Sequence, residues 1–352
     1  MLKTYNINEI PVRIHGRTAT TADGLPLRWT GAAAEFAVTG SELWLTYAAS
    51  GVAGDFLRVE IDGFDFIRLM LEEGEHRVCI FKKFPAEQTF RVRILREMQA
   101  TGGALTLRSL DASGSFAALP ARRHKIEFLG DSITSGEGLA GAKSLNVWIP
   151  QVFSTRGNYA LLTADALDAD YSILSMSGWG IYCSWNNNPK NAIPVIYESL
   201  CAPGGIGTPW DFDDGVDVVV VNLGANDTGA FGGPAFTDED GTVYQQMRDE
   251  TGAPLPECLK KVTDAATAFC ARLRELRPEA HIVWCYGMIP GPVTEAMRDA
   301  VSAYAACDPK LHIAVLPHAD DSLRAARNHP GAGAHRLYAD ALIPALREIL
   351  ED

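Results

Sequence analysis

The sequence predicts an α/β protein in two parts, an antiparallel β-sandwich over residues 1–120 and a parallel sheet with crossover helices over residues 121–352. Three observations predict it. Before Pro120 the chain alternates apolar and polar residues in short runs broken by Gly, Asp and Pro, and a period of two marks half-buried strands. After Ala121 short apolar runs alternate with stretches of helical length, the pattern of parallel strands joined by helices. Val216 to Val221 is valine at every position but Asp217, as expected of a central strand buried on both faces.

In the first part the alternation is plainest at Glu42 to Tyr47, Leu57 to Ile61, Arg77 to Phe81, Phe90 to Leu95 and Ala104 to Leu110. Asp62-Gly63 separates two such runs and signals a type I′ hairpin, because both turn positions need residues that tolerate positive φ. In the second part strands are expected at Lys125 to Leu129, Tyr171 to Ser175, Val216 to Leu223, His281 to Tyr286 and His312 to Leu316. Helices are expected at Tyr159 to Leu167, Pro256 to Arg277, Val293 to Ala306 and Ala334 to Leu350. Two long connections, Ile181 to Gly215 and Thr228 to Pro254, are rich in Gly, Pro, Asn and Asp, and loops of that length usually carry function.

Composition narrows the function. A formal net charge of -13 leaves no basic stripe for phosphate backbones or anionic lipid, so neither nucleic acid nor a membrane is an expected partner. Met1 to Val12 has polar residues where a signal peptide would carry its apolar run. The seven cysteines include no CxxC pair and no zinc-like spacing, which fits buried free thiols and no metal site. A cytoplasmic location is the expectation, or a secreted one if a signal has been removed.

Ligands of open parallel sheets sit beyond the carboxyl ends of the strands, and four motifs fall there. Gly130-Asp131-Ser132 follows the first strand, where a serine in the turn opening the next helix would expose its hydroxyl, with Thr134 or Ser135 as a cap. Ser177-Gly178-Trp179-Gly180 follows the second, and glycine bares a backbone N–H, so Gly178 is the expected oxyanion donor with Gly180 in reserve. Gly224-Ala225-Asn226-Asp227 ends the valine strand, and a rigid Asn226 amide can donate to an oxyanion. His329-Pro330 precedes the last helix, where Pro330 holds His329 in an extended entry loop that can aim its imidazole at Ser132. Singly these read as a helix cap, a packing bulge, an Asx turn and a loop histidine. Jointly, in the order Ser, Gly, Asn, His, they are specific. His318 and His335 are the other histidines near enough in sequence to compete with His329.

From about Arg122 onward, these four blocks resemble the SGNH (GDSL-like) hydrolase superfamily, which implies a flavodoxin-like three-layer α/β/α fold. A front sandwich joined to Ile126-Glu127-Phe128-Leu129-Gly130-Asp131-Ser132-Ile133-Thr134, with Trp210-Asp211-Phe212 ahead of the valine strand, is similar to carbohydrate esterase family 2. That resemblance implies a jelly-roll domain before the hydrolase domain and removal of acetyl groups from sugars. It implies Ser132 as nucleophile, His329 as base and Gly178 and Asn226 as oxyanion donors, with no cofactor.

One position departs from the superfamily pattern. Three residues before the histidine, where an Asp is usual, stands Ala326. The imidazolium then lacks its charge partner, and something else must fix the ring tautomer. A backbone carbonyl would make a Ser–His dyad, as in some members of carbohydrate esterase family 2; Asp320 or Asp321 would complete a triad instead. Trp179 and Trp185 after the Gly block offer flat faces to sugar rings, with Asp131 and Asp227 as further substrate contacts, while Trp210 reads as core. A GDSL lipase or thioesterase would share the four blocks. A sugar-binding protein with a decayed site would explain the missing Asp.

Overall fold

The computed structural model describes residues 1–351. Eleven strands come first: β1 (Lys3–Asn6), β2 (Arg13–His15), β3 (Leu25–Leu27), β4 (Ala33–Gly40), β5 (Leu43–Ser50), β6 (Phe56–Ile61), β7 (Phe64–Met70), β8 (Gly74–Phe81), β9 (Gln88–Arg96), β10 (Ala104–Ala112) and β11 (Ser115–Ala117). They form two antiparallel sheets, β1-β10-β5-β8 with β3 on β10, and β11-β4-β9-β6-β7 with β2 on β4. On β5 the side chains of Leu43, Leu45, Tyr47 and Ala49 are buried and the intervening ones half-buried, so the period of two is a record of the pleat. The β6–β7 hairpin turns at Asp62 and Gly63, with φ of 52° and 84°, as the Asp-Gly pair predicts. Sequence periodicity leaves out β4, because its first four residues, Glu35 among them, are all buried and show no alternation; β1, β2, β3 and β11 are too short to show a period.

The second part runs β12 (His124–Gly130), α1 (Tyr159–Ala166), β13 (Ala169–Ser175), α2 (Ile193–Ile196), β14 (Ser199–Cys201), β15 (Ile206–Pro209), β16 (Val218–Asn222), α3 (Ala225–Ala230), β17 (Phe236–Thr237), β18 (Val243–Tyr244), α4 (Pro256–Leu276), β19 (His281–Tyr286), α5 (Pro292–Ala305), β20 (Leu311–Val315) and α6 (Ala332–Glu351). Its sheet is wholly parallel in the order β13-β12-β16-β19-β20, the doubly wound order of flavodoxin-like folds. The valine strand explains itself. Val219 and Val221 join Val262, Phe269, Val293 and Val301 of α4 and α5, while Val218 and Val220 join Leu161, Tyr338 and Leu342 of α1 and α6. Helices therefore cover both faces, and a continuous apolar strand is the consequence. The two long connections hold the β14–β15 and β17–β18 hairpins.

The sandwich is packed onto this layer through polar as well as apolar contacts. Arg17 of the sandwich pairs with Glu127 inside β12 at 2.9 Å, and Arg277 and the Tyr197 hydroxyl complete the shell of that buried carboxylate. Burial alone would raise the Glu127 carboxyl, but the two guanidiniums and the hydroxyl outweigh it and hold it below its ordinary range. All seven cysteines are unpaired, and of these Cys307 is exposed and Cys79 half-buried. Among the described residues, no helix is long and apolar enough to cross a membrane.

Candidate active site

At the carboxyl end of the sheet the strand order reverses between β12 and β16, and loops diverging from such a point leave a crevice. Ser132 follows β12 and Gly178 follows β13; Asn226 lies in the first turn of α3 after β16, and His329 in the loop between β20 and α6. Four segments distant in sequence thus meet at one edge.

Ser132 does not open a regular helix, contrary to expectation. Asp131 O accepts from Ser135 N at 2.9 Å and Ser132 O from Glu137 N at 3.0 Å, and Gly136 at φ 73° ends the run as tight turns. The cap is Asp131 itself, whose Oδ1 accepts from Ile133 N at 3.0 Å; Thr134 instead bonds the Tyr159 hydroxyl and Ser135 the Ser175 hydroxyl. Gly130 is required by space: a Cβ there would sit 2.0 Å from Thr134 Oγ1.

The hydroxyl of Ser132 is 2.8 Å from His329 Nε2. On the other side of the ring His329 Nδ1 is 2.9 Å from the carbonyl oxygen of Arg327, so Nδ1 carries the proton and Nε2 is free to accept one. His335, by contrast, is wholly buried, its Nδ1 accepts from Tyr159 N at 3.1 Å, and burial pushes its imidazole down to about 3. His318 faces the Met288 carbonyl oxygen at 2.9 Å. Neither competes with His329.

Gly178 has φ +83°, a conformation that favours glycine, and a Cβ there would meet Trp185 Cδ1 at 3.0 Å. Next to it, Ser177 N donates to Gln99 Oε1 at 2.7 Å, so a side chain of the sandwich holds the Gly loop in place. Asn226 Nδ2 donates to Trp179 O at 2.9 Å and lies 3.3 Å from Asp131 Oδ2. The first bond fixes the amide and the second, longer contact leaves one N–H open to competition. Gly180 serves packing: its absent Cβ makes room for Asp227 Oδ2, which would lie 2.3 Å away.

The model of the GDSL-like lipase/acylhydrolase family matches residues 128–337. The chain belongs to this family. It is accordingly a carboxylic ester hydrolase. Among solved structures it is similar to an acetyl xylan esterase from the rumen bacterium Butyrivibrio proteoclasticus, 34% identical over 100% of this chain and 99% of that one with a TM-score of 0.96. It also resembles a family two carbohydrate esterase from Cellvibrio japonicus, at 24% identity over 100% and 98% of the two chains and a TM-score of 0.82. A curated acetylxylan esterase / glucomannan deacetylase of Cellvibrio japonicus is 26% identical over 351 residues, 97% of this chain and 89% of that protein.

In this GDSL-like protein the two alternative carboxylates lie elsewhere. Asp320 accepts from Ser322 N at 2.8 Å, and Asp321 is exposed and paired with Lys143. The carbonyl oxygen of Arg327 occupies the place on Nδ1 that a carboxylate would take. Ala326 points away into a small apolar cluster with Met98, Val152 and Phe153, and a Cβ on Gly141 would lie only 2.6 Å from its own. Restoring the family residue by Ala326→Asp is therefore expected to bury an unpaired charge, lowering stability by about 3 kcal/mol or more without raising kcat. Denaturant unfolding and steady-state kinetics of the variant check both parts.

Two expected substrate contacts are also corrected. Asp131 and Asp227 are buried and act as scaffolding: Asp227 takes the N–H groups of Ile181 and Tyr182 at 2.8 and 2.9 Å. Burial, helped by the charges of Asp227 and Glu137, pushes the Asp131 carboxyl up to about 7. Trp179 packs half-buried against the core, and Trp210 lies over Arg17 at the domain junction. Trp185 remains, 53% exposed, in an open cleft of about 350 Å³ lined also by Ser132, Glu137, Trp148, Ser177, Gly178, Asn226, Arg327 and His329. Trp148, 45% exposed, and Glu137 are walls of this cleft that sequence reasoning missed, as it missed Gln99, which holds the Gly loop. Trp148 lies in a loop with no strand end or period to flag it. Among the described residues no group of three or more His, Cys, Asp or Glu side chains converges as a metal would need.

Proposed function

We propose that this chain removes acetyl groups from O-acetylated carbohydrate through a Ser132 acyl-enzyme. The observation that carries the reading is the 2.8 Å contact between Ser132 Oγ and His329 Nε2 at the floor of a cleft walled by two exposed indoles. His329 takes the Ser132 proton as Oγ attacks the ester carbonyl, and returns it to the departing sugar hydroxyl. Water then attacks the acetyl-enzyme by the same route. The developing oxyanion is met by the N–H groups of Ser132 and Gly178 and by the Asn226 amide, which releases its long contact to Asp131; each donor contributes about 3 kcal/mol. The relatives named as acetyl xylan esterases support the substrate class.

Trp148 and Trp185 stack on sugar rings in this reading. Replacing either by Ala should reduce kcat/KM on acetylated xylan or mannan roughly tenfold, the equivalent of about 1.4 kcal/mol, while leaving cleavage of a small aryl acetate nearly unchanged. Equal losses on both substrates would remove the sugar platform.

A lipase or thioesterase is the second reading, and one observation favours it. A second cavity of about 160 Å³ shares Ser132, Asn226 and His329 with the cleft and is lined mainly by Ile133, Met288, Ile289, Ala319, Pro330 and Tyr338, with Arg324 and Asn328 as its polar members. A series of aryl esters from acetyl to octanoyl, run beside acetylated xylan, separates the two. The acetyl-esterase reading requires kcat/KM to fall as the acyl chain lengthens; a rise would give the site to a longer acyl ester.

A further inference from the structure

The cation that forms on His329 during acylation has only a backbone carbonyl on its Nδ1 side, yet a buried carboxylate stands close by. Oε1 of Glu137 is 3.9 Å from His329 Nε2, on a side chain only 2% exposed. The placement is built in. The Glu137 N–H donates to the Ser132 carbonyl at 3.0 Å, so nucleophile and carboxylate share one set of turns. Glu137 also accepts from Nε of Arg327, the residue whose carbonyl holds the histidine ring. Arg327 and Asn328 have φ of 54° and 59°, a left-handed pair that non-glycine residues hold only when their surroundings enforce it. Arg327 N to Leu145 O at 2.8 Å and the Glu137 ion pair are such restraints.

We propose that Glu137 is the charge partner and positioning residue of His329, taking over from the side of Nε2 the task that a carboxylate on Nδ1 performs elsewhere. The inference rests on the esterase reading above. As the Ser132 Oγ electron pair forms the bond to the ester carbon, the Oγ proton passes to Nε2 and the ring becomes a cation beside a carboxylate that water scarcely reaches. When the tetrahedral species collapses, the same proton leaves on the alcohol oxygen. The other charged groups facing the ring do not cancel this attraction. Arg327 pairs with the same Glu137 oxygen and offsets part of its charge, but on a side chain 30% exposed, where water weakens the offset. Arg324 is turned to the Asn328 carbonyl. His335, pushed down to about 3 by burial, stays neutral. Asp131, buried beside Ser132 and raised to about 7, is half-ionised at neutrality and adds its negative charge progressively as the pH rises through that value.

The test is a pH profile of kcat and KM for a small aryl acetate, taken on the whole protein and on E137Q, E137A and R327Q across the range in which histidine titrates. Wild-type activity that Ser132→Ala abolishes must be seen first; its absence would sink the esterase reading itself. E137Q should then lose about tenfold in kcat with KM changed less than about twofold, and the acidic limb of kcat/KM should move to lower pH by about one unit. The sign follows because a ring that has lost a neighbouring negative charge gives up its proton more easily. R327Q, which leaves the carboxylate unpaired, should move the limb the other way. If both limbs coincide with the wild type, or if E137Q changes only the melting temperature, Glu137 is a structural residue and the proposal falls.

Discussion

Ser132→Ala is expected to lower kcat on an aryl acetate by about 10⁴-fold or more while leaving the fold and the melting temperature nearly unchanged. The hydroxyl makes one side-chain hydrogen bond, to His329, and 7% of the residue reaches solvent, so its removal opens no core cavity. His329→Ala should cost about as much, because without the ring the hydroxyl keeps its proton at neutral pH. The double variant should be no worse than either single one, since the two groups act as a unit. What remains comes from the oxyanion donors and the cleft. Additive losses would mean that the two residues serve separate steps, which the 2.8 Å contact does not allow.

The second large effect is at Asn226. Asn226→Ala should reduce kcat by 10²- to 10³-fold, about 3–4 kcal/mol of barrier, with little change in KM. Its amide is held by the Trp179 carbonyl at 2.9 Å, so the donor is fixed before substrate arrives and strengthens its bond only as charge develops on the ester oxygen. Asn226→Asp keeps the shape but replaces a donor with an acceptor, and is expected to be at least as damaging. Loss of the Trp179 contact could also loosen the loop that carries Gly178, and thermal unfolding of both variants separates that from a lost donor. A kcat within about tenfold of wild type in a folded Asn226→Ala would leave Gly178 and Ser132 N–H as the oxyanion site.

Much of this arrangement is legible in the sequence, for physical reasons. Ser132, Gly178, Asn226 and His329 stand at the ends of strands or beside a helix, and strand ends are marked by apolar runs giving way to Gly, Asn and Asp. The Asp62-Gly63 turn and the valine strand were readable because their backbone and burial admit few other residues. Asp131 and Asp227 read from sequence as substrate contacts, because sequence shows a carboxylate near the site but not that it is turned inward to bind backbone N–H groups. Asp320 and Asp321 are candidates by proximity in sequence alone, which says nothing of Ser322 and Lys143 as their partners. Glu137 sits on a turn and Trp148 in a loop, both without period, and Gln99 comes from the other part of the chain. Only the packed tertiary structure brings the first two to the cleft and the third to the Gly loop.

The most direct measurement is to treat the protein with an aryl phosphonate that reacts with activated serines, and to locate the adduct by mass spectrometry of the digested chain. A single adduct on Ser132, absent in His329→Ala, is the predicted result. An unmodified chain, or an adduct on another residue that appears equally in His329→Ala, would contradict a Ser132 nucleophile activated by His329.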